Sequence, residues 1–190
     1  MNYKNNNNTE KIIFLIWSSW AGKTTIYEKI SKTIPIKKIT TFTTRKIRKN
    51  EKHWKDYYFT NKEDFFKNKK DFIEYSKVYW NFYWSKFSEL EKIIKKKKIP
   101  TYIIDIQWFL KLKEKLKNKQ IISIWIILLD EKENFKRLKK RGDEIKKIKE
   151  RIKTIKQEEQ KIIKNTNIVF KNKEFITCCN LISKYIKNFL

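Results

Sequence analysis

The sequence predicts an α/β fold built on a parallel sheet, and three observations predict it. Apolar runs without alternation, Ile12–Ile16, Thr101–Ile106 and Ile121–Leu129, read as strands buried on both faces. Amphipathic helical stretches separate them, the order that right-handed strand–helix–strand crossovers require. The first strand also runs through a short loop of small residues straight into a helix opened by Gly22-Lys23-Thr24-Thr25.

That opening helix continues to about Thr33, and Pro35 ends the element. A short strand near Lys38–Phe42 leads into Thr43-Thr44-Arg45-Lys46-Ile47-Arg48 and a tyrosine-bearing loop. Asn61–Asn68 has a cap residue and an amphipathic pattern, so a short helix is expected there. Phe72–Tyr75 alternates as a strand, Val78–Ser85 is too aromatic for a core helix, and Ser85 is placed to cap a helix over about Lys86–Lys98. The strand Thr101–Ile106 ends at Asp105 and is followed by a helix to about Lys117. After Ile121–Leu129 come a helix over Glu131–Arg141, a basic turn and a helix containing Arg151. The last strand is Asn167–Phe170 and the closing helix is Glu174–Phe189.

Strand, loop and helix at Ile12–Thr33 form the setting of a phosphate-binding loop. In the pattern G-x-x-x-x-G-K-[ST], backbone N–H groups and the helix N-terminus hold phosphate oxygens, the lysine neutralises the outer phosphates and the hydroxyl ligates Mg²⁺. Every element is present except the first glycine, where Trp17 stands. A side chain there costs roughly 1–2 kcal/mol if the loop needs positive φ, and an indole would fill the space of the ligand. The expected core is therefore P-loop NTPase-like, with its ligand at the carboxyl ends of the strands.

At 190 residues the chain is long enough for one α/β domain with small insertions. Its net charge of +26 would suit a polyanion, but lysine, isoleucine and asparagine are spread over every expected helix. That is the look of an AT-rich coding sequence, and no RNA- or DNA-binding motif accompanies the charge, so nucleic acid is not the expected partner. The two cysteines are the adjacent Cys178 and Cys179, unsuited to a mutual disulfide or a zinc site, which points to a reduced, cytoplasmic setting. Residues 1–10 read as a disordered leader, and no apolar run reaches bilayer-spanning length.

Two glycines against seven tryptophans is a doubly unusual composition. Trp17, Trp20, Trp54, Trp80, Trp84 and Trp108 all fall where loops, turns or element ends are expected and glycine would be natural.

The order of motifs resembles guanylate kinase from Lys11 to the C-terminus. The family's S-G-P-S-G-x-G-K-[ST] lines up with Ile16–Thr24 and its T-T-R-x-x-R-x-x-E with Thr43–Glu51. Its G-x-D-Y-x-F matches Trp54–Phe59, F-[IL]-E-[WY] matches Phe72–Tyr75, G-N-x-Y-G-[ST] matches Trp80–Ser85, and I-D-x-Q-G matches Ile104–Trp108. Six of the family's glycines are tryptophan here. One event explains all six: UGA codons decoded as glycine by the source organism and translated here as tryptophan, which would make Trp125 a glycine too.

The resemblance implies transfer of the ATP γ-phosphoryl to GMP, and to dGMP, with Mg²⁺ as cofactor. It implies a core of residues 11–35 and 86–190, a GMP-binding subdomain at 36–85 and a lid at 137–151. ATP would be held by Trp17, Ser18, Ser19, Trp20, Ala21, Gly22, Lys23, Thr24 and Thr25, with Asn172 on the adenine side and Thr24 on the metal. The GMP phosphate would meet Arg45, Arg48, Tyr57 and Tyr83. Glu74 would read guanine, with Thr41 and Ser85 nearby and Asp105 orienting the guanine side or the metal's water shell. Lys23, Arg137, Arg141 and Arg151 would carry the catalytic charge. The sequence departs from the family at Phe42, Asn50, Phe82, Lys146 and Lys147. Two other readings remain open: a non-catalytic binding module of the same fold, which has no need to keep Lys23 and the lid arginines, and a basic nucleic-acid-associated protein.

Overall fold

The computed structural model describes residues 10–17, 23–49, 51–78, 80–128 and 162–190, with 135, 139, 145 and 160 singly. The side chains of residues 17, 23, 24, 78 and 128 lie outside that description. The phosphate-loop residues 18–22 and the arginines at 137, 141 and 151 also lie outside the described residues.

A five-stranded parallel sheet carries the core: β1 (Lys11–Trp17), β2 (Ile36–Lys38), β7 (Ile99–Ile104), β8 (Gln120–Leu128) and β9 (Ile168–Asn172), in the order β2-β7-β1-β8-β9. β1 is central, which is why Ile12–Ile16 shows no polar alternation. Ile12, Phe14 and Ile16 face one core with Tyr102, Phe109 and Leu112. Ile13 and Leu15 face the other with Ile26, Ile30, Ile182 and Ile186. The first core is covered by α3 (Phe87–Lys95) and α4 (Ile106–Lys115), the second by α1 (Lys23–Ile30) and α5 (Phe175–Phe189). Cys178 and Cys179 are free thiols buried in the second core, and burial pushes the Cys178 thiol up to about 11. They are packing residues.

A second sheet, β4-β3-β6-β5, is made of β3 (Phe42–Thr43), β4 (Tyr58–Phe59), β5 (Phe72–Val78) and β6 (Asn81–Lys86). The single strand expected near Lys38–Phe42 is in fact two. Lys38 pairs with Thr101 in the large sheet and Phe42 with Trp84 in the small one, so the chain crosses between sheets at Ile39–Thr41. Residues 36–38 therefore pair with the core sheet instead of the insertion. α2 (Lys62–Lys67) lies on the small sheet, its N-cap Asn61 accepting from Asp64 N at 2.8 Å.

Two expectations are corrected. Ser85 does not cap α3. It lies inside β6 opposite Glu74, and the Asp71 carboxylate serves the start of α3 instead, accepting from Ser88 N at 3.1 Å and Ser88 Oγ at 2.6 Å. Trp84 is not at a loop or an element end. It sits within β6, fully buried and stacked with Phe42 and Phe72, because its face of the strand is turned toward Phe65 of α2.

Candidate active site

The carboxyl end of β1 is level with that of β7, through the pairing of Ile16 with Ile104. Residue 105 therefore emerges beside the start of the phosphate-loop sequence. Asp105 caps α4 there, its Oδ1 accepting from Trp108 N at 2.9 Å. On the other side of the loop sequence, α1 begins at Lys23, with Thr24 and the exposed Thr25 in its first turn. Asn172 ends β9 along the same edge of the sheet.

A cavity of about 650 Å³ opens between the two sheets, with Thr41, Tyr57 and Tyr83 on one wall and Tyr102, Asp105 and Trp108 on the other. Where Tyr57 and Tyr83 line it, Arg45 packs over the ring of Tyr57 at 5.6 Å, and the Tyr57 and Tyr83 rings meet edge to face at 5.9 Å. Burial raises the Tyr57 phenol above its ordinary value, with Tyr83 adding to it, so Tyr57 is a neutral donor near pH 7. Arg48 is exposed at the rim. Lys38, unremarked in the sequence, also lines the cavity and donates to the carbonyls of Lys55 and Asp56 at 3.0 and 3.2 Å.

Glu51 organises this end, a part its motif position did not reveal. Its Oε1 takes the Arg45 guanidinium at 2.8 Å and its Oε2 takes Arg48 N at 3.0 Å, fixing side chain and loop together. Burial works against the Glu51 charge, but the Arg45 guanidinium and the Arg48 N–H outweigh it and hold the carboxyl below 4.5. A depressed carboxyl stabilises the fold above its ordinary value and loses that contribution as pH falls through the lowered one. Glu51→Gln should therefore cost on the order of 1 kcal/mol or less at pH 7, after screening, and nothing in strong acid. Urea titrations at pH 7 and pH 3 measure the difference.

Next to Tyr102, and outside the lining of the large cavity, Glu74 and Ser85 are paired neighbours on β5 and β6. Glu74 Oε2, Ser85 Oγ, the Tyr102 hydroxyl and Trp108 Nε1 are enclosed together without a well-formed hydrogen bond, the Tyr102 hydroxyl facing Ser85 and the Trp108 N–H facing Glu74. A buried polar group left unpaired costs about 1–3 kcal/mol, so these loosely paired groups are ones that a polar ligand edge would complete. Burial pushes the Glu74 carboxyl above its ordinary value; the Lys111 ammonium and the Trp108 N–H pull it back, and Asp105 opposes them. Tyr102 is raised strongly by its burial and is a neutral hydroxyl at any ordinary pH. It was not singled out in the sequence, where it is one inward residue of an apolar strand.

Trp108 lines the large cavity while its indole faces Glu74, and Glu74 opens on a smaller cavity of about 310 Å³ with Lys69 and Lys115. Trp54 sits at φ 68, in the left-handed region that favours glycine, and is 70% exposed; Trp80 is 78% exposed. Two of the enclosed, unpartnered polar atoms are indole nitrogens, those of Trp84 and Trp125. Buried tryptophans ordinarily find a partner for this N–H.

The Guanylate kinase family model matches residues 9–189. Among similar proteins, the guanylate kinase of Chlamydia felis (strain Fe/C-56) is 34% identical over 128 residues, covering 65% of this chain and 61% of that protein. That of Anaplasma phagocytophilum (strain HZ) is 33% identical over 138 residues, covering 70% and 65%. These alignments span a little under two thirds of those relatives' lengths. The crystal structure of guanylate kinase from Anaplasma phagocytophilum superposes with a TM-score of 0.71 at 26% identity, over 95% of this chain and 86% of that one.

Proposed function

This chain belongs to the guanylate kinase family, and on that premise we propose that it transfers the γ-phosphoryl group of ATP to GMP or dGMP, giving ADP and GDP or dGDP. The observation that carries the reading is the enclosed polar set of Glu74 Oε2, Ser85 Oγ and the Tyr102 hydroxyl, together with the Arg45–Tyr57–Tyr83 cluster. The Glu74–Ser85–Tyr102 group suits the polar edge of a base and the Arg45–Tyr57–Tyr83 cluster suits an anion. A nucleoside monophosphate offers both.

Guanine presents two donors, N1–H and the N2 amino group, and an ionised Glu74 accepts from both. Adenine presents an acceptor at the matching ring position, leaving the carboxylate unpaired. Arg45 and Arg48 would fork onto the phosphate of GMP, with Tyr57 and Tyr83 adding hydroxyl donors. Thr41 and Asp105 would line the base side. An oxygen of that phosphate then attacks the γ-phosphorus, and the bond to the β-phosphate oxygen breaks as ADP leaves. Such a transfer has little covalent chemistry for the protein to do, so positioning and charge neutralisation carry it. Lys23 and the backbone of residues 17–24 would hold the donor's phosphates, with Asn172 toward its adenine. Arg137, Arg141 and Arg151, in a lid over 137–151, would neutralise the moving phosphoryl group and exclude water.

Mg²⁺ fits the donor set. Thr24 lies in the first turn of α1, and its hydroxyl would supply one hard oxygen ligand. That suits an ion carried in largely by substrate phosphates and touched by one protein hydroxyl. When bound, it would supply charge neutralisation across the β- and γ-phosphates.

The seven tryptophans belong to the same proposal. Positive φ at Trp54 and the unpartnered indoles of Trp84 and Trp125 support glycine at these positions in the organism's own protein. At 108 the support is chemical, since the indole sets an N–H against the carboxylate that guanine's donors would need. No described helix is long and apolar enough to cross a membrane, and the free thiols suit a reducing cytoplasm. The diffuse basic charge is read as composition, not as a nucleic-acid surface. A coupled assay of ADP formation with ATP and GMP, on protein carrying glycine at the seven positions, tests the function. ATP turnover without GMP dependence would sink it.

A further inference from the structure

Glu74 has one cationic partner at ion-pair distance among the described residues, and it comes from a distant element. Lys111 Nζ, on α4, lies 3.6 Å from Glu74 Oε1; the Lys111 side chain is 57% exposed and that of Glu74 only 8%. Trp108 and Lys111 are three residues apart on α4, so both reach β5 from one helix face. The lysine stem crosses the protein surface while its head stays wet, so Lys111 neutralises a buried charge without being buried itself.

We propose that Lys111 is a positioning residue for base recognition: paired with Oε1 of Glu74, its ammonium keeps the carboxylate charged and leaves Oε2 for the N–H edge of guanine. The inference rests on the function proposed above and adds to it a residue that none of the recognised motifs contains. The groups facing Glu74 define the competition. Lys111 favours the ionised form, as does the Trp108 N–H, whereas burial and Asp105 disfavour it. Ser85 opposite on β6 is neutral, and Lys69 and Lys115 line the same small cavity without an ion pair to Glu74. Without Lys111, this enclosed carboxylate would protonate at higher pH and then offer guanine a hydroxyl donor where an acceptor is required.

Two measurements test it. In the chain as it stands, ¹³C NMR titration of the Glu74 carboxyl should move to higher pH in Lys111→Met and return in Lys111→Arg. With glycine at the seven tryptophan positions, GMP binding by calorimetry should weaken in Lys111→Met by about threefold to tenfold near pH 6, narrowing above pH 8, with ATP binding unchanged. Lys111→Arg should restore the pH profile. An unmoved Glu74 titration overturns the proposal, and so does a loss of GMP affinity that is the same at every pH. If no protein binds GMP, the parent included, the function is wrong, and the NMR titration still judges the Glu74–Lys111 pairing.

Discussion

Protein carrying W17G, W20G, W54G, W80G, W84G, W108G and W125G phosphorylates GMP at least about a hundredfold faster than the chain with tryptophan at all seven positions. The magnitude follows from what an indole removes. Preorganised backbone donors aimed at transferring charge are each worth about 10²–10³ in rate, and side chains at 17 and 20 would displace the phosphates those donors serve. At 108 the indole N–H faces Glu74, so the base side is obstructed too. A coupled ADP assay on the two proteins reads the difference, and single reversions at 17 and 108 separate the ATP side from the GMP side. Equal rates would return these residues to the status of real tryptophans.

Stability provides an independent reading of the same question. Trp84 and Trp125 are fully buried, and in a chain built around them removal of such a side chain costs about 3–5 kcal/mol through the cavity left behind. Each also encloses an indole N–H with no partner, a penalty that glycine removes. A chain evolved with glycine there should lose far less, because neighbouring side chains are already sized to close the gap. Chemical denaturation of W84G and W125G measures which applies. The gene decides outright: the seven codons are all UGA or the recoding is wrong.

Glu74→Gln, in the glycine-carrying protein, lowers kcat/KM for GMP by about a hundredfold to a thousandfold while leaving ATP affinity unchanged. The amide keeps one acceptor and turns the other position into an N–H₂ group facing guanine's donors. Loss of one charge-assisted hydrogen bond plus an opposed donor pair amounts to roughly 3–4 kcal/mol. The charge is also gone, so the acid limb that Lys111 controls should vanish from the pH profile of GMP binding. Steady-state kinetics with GMP, and with AMP as a control, measure this. Retained guanine preference would move base recognition elsewhere in the cavity.

Much of this molecule was legible locally. The order of strands and helices followed from apolar runs and caps, because a strand buried on both faces and a helix buried on one leave periods that a linear reading can detect. The cap at Asn61 behaves as its residue type suggests, whereas Glu174, expected as the first residue of the closing helix, caps it instead, accepting from Ile176 N and Thr177 N at 2.8 and 2.6 Å. Boundaries failed where the answer depended on another sheet. Lys38 and Phe42 look continuous in sequence yet pair with different partners, and Ser85 looks like a cap yet is claimed by Glu74 across the hairpin.

By itself the sequence determined the elements, the motif spacing and the residue types that chemistry on a nucleotide requires, since those are properties of short segments. Only the tertiary structure decided that β7 lies beside β1 and so brings Asp105 to the loop edge. It also decided that Glu51 binds two arginine sites at once, and that Glu74, Ser85 and Tyr102 share one enclosed place. The reason is physical: burial and pairing of polar groups depend on strand order and register among residues far apart in the chain, and no local period encodes those. Lys111, ordinary in a chain crowded with lysines, is distinguished solely by the carboxylate it reaches.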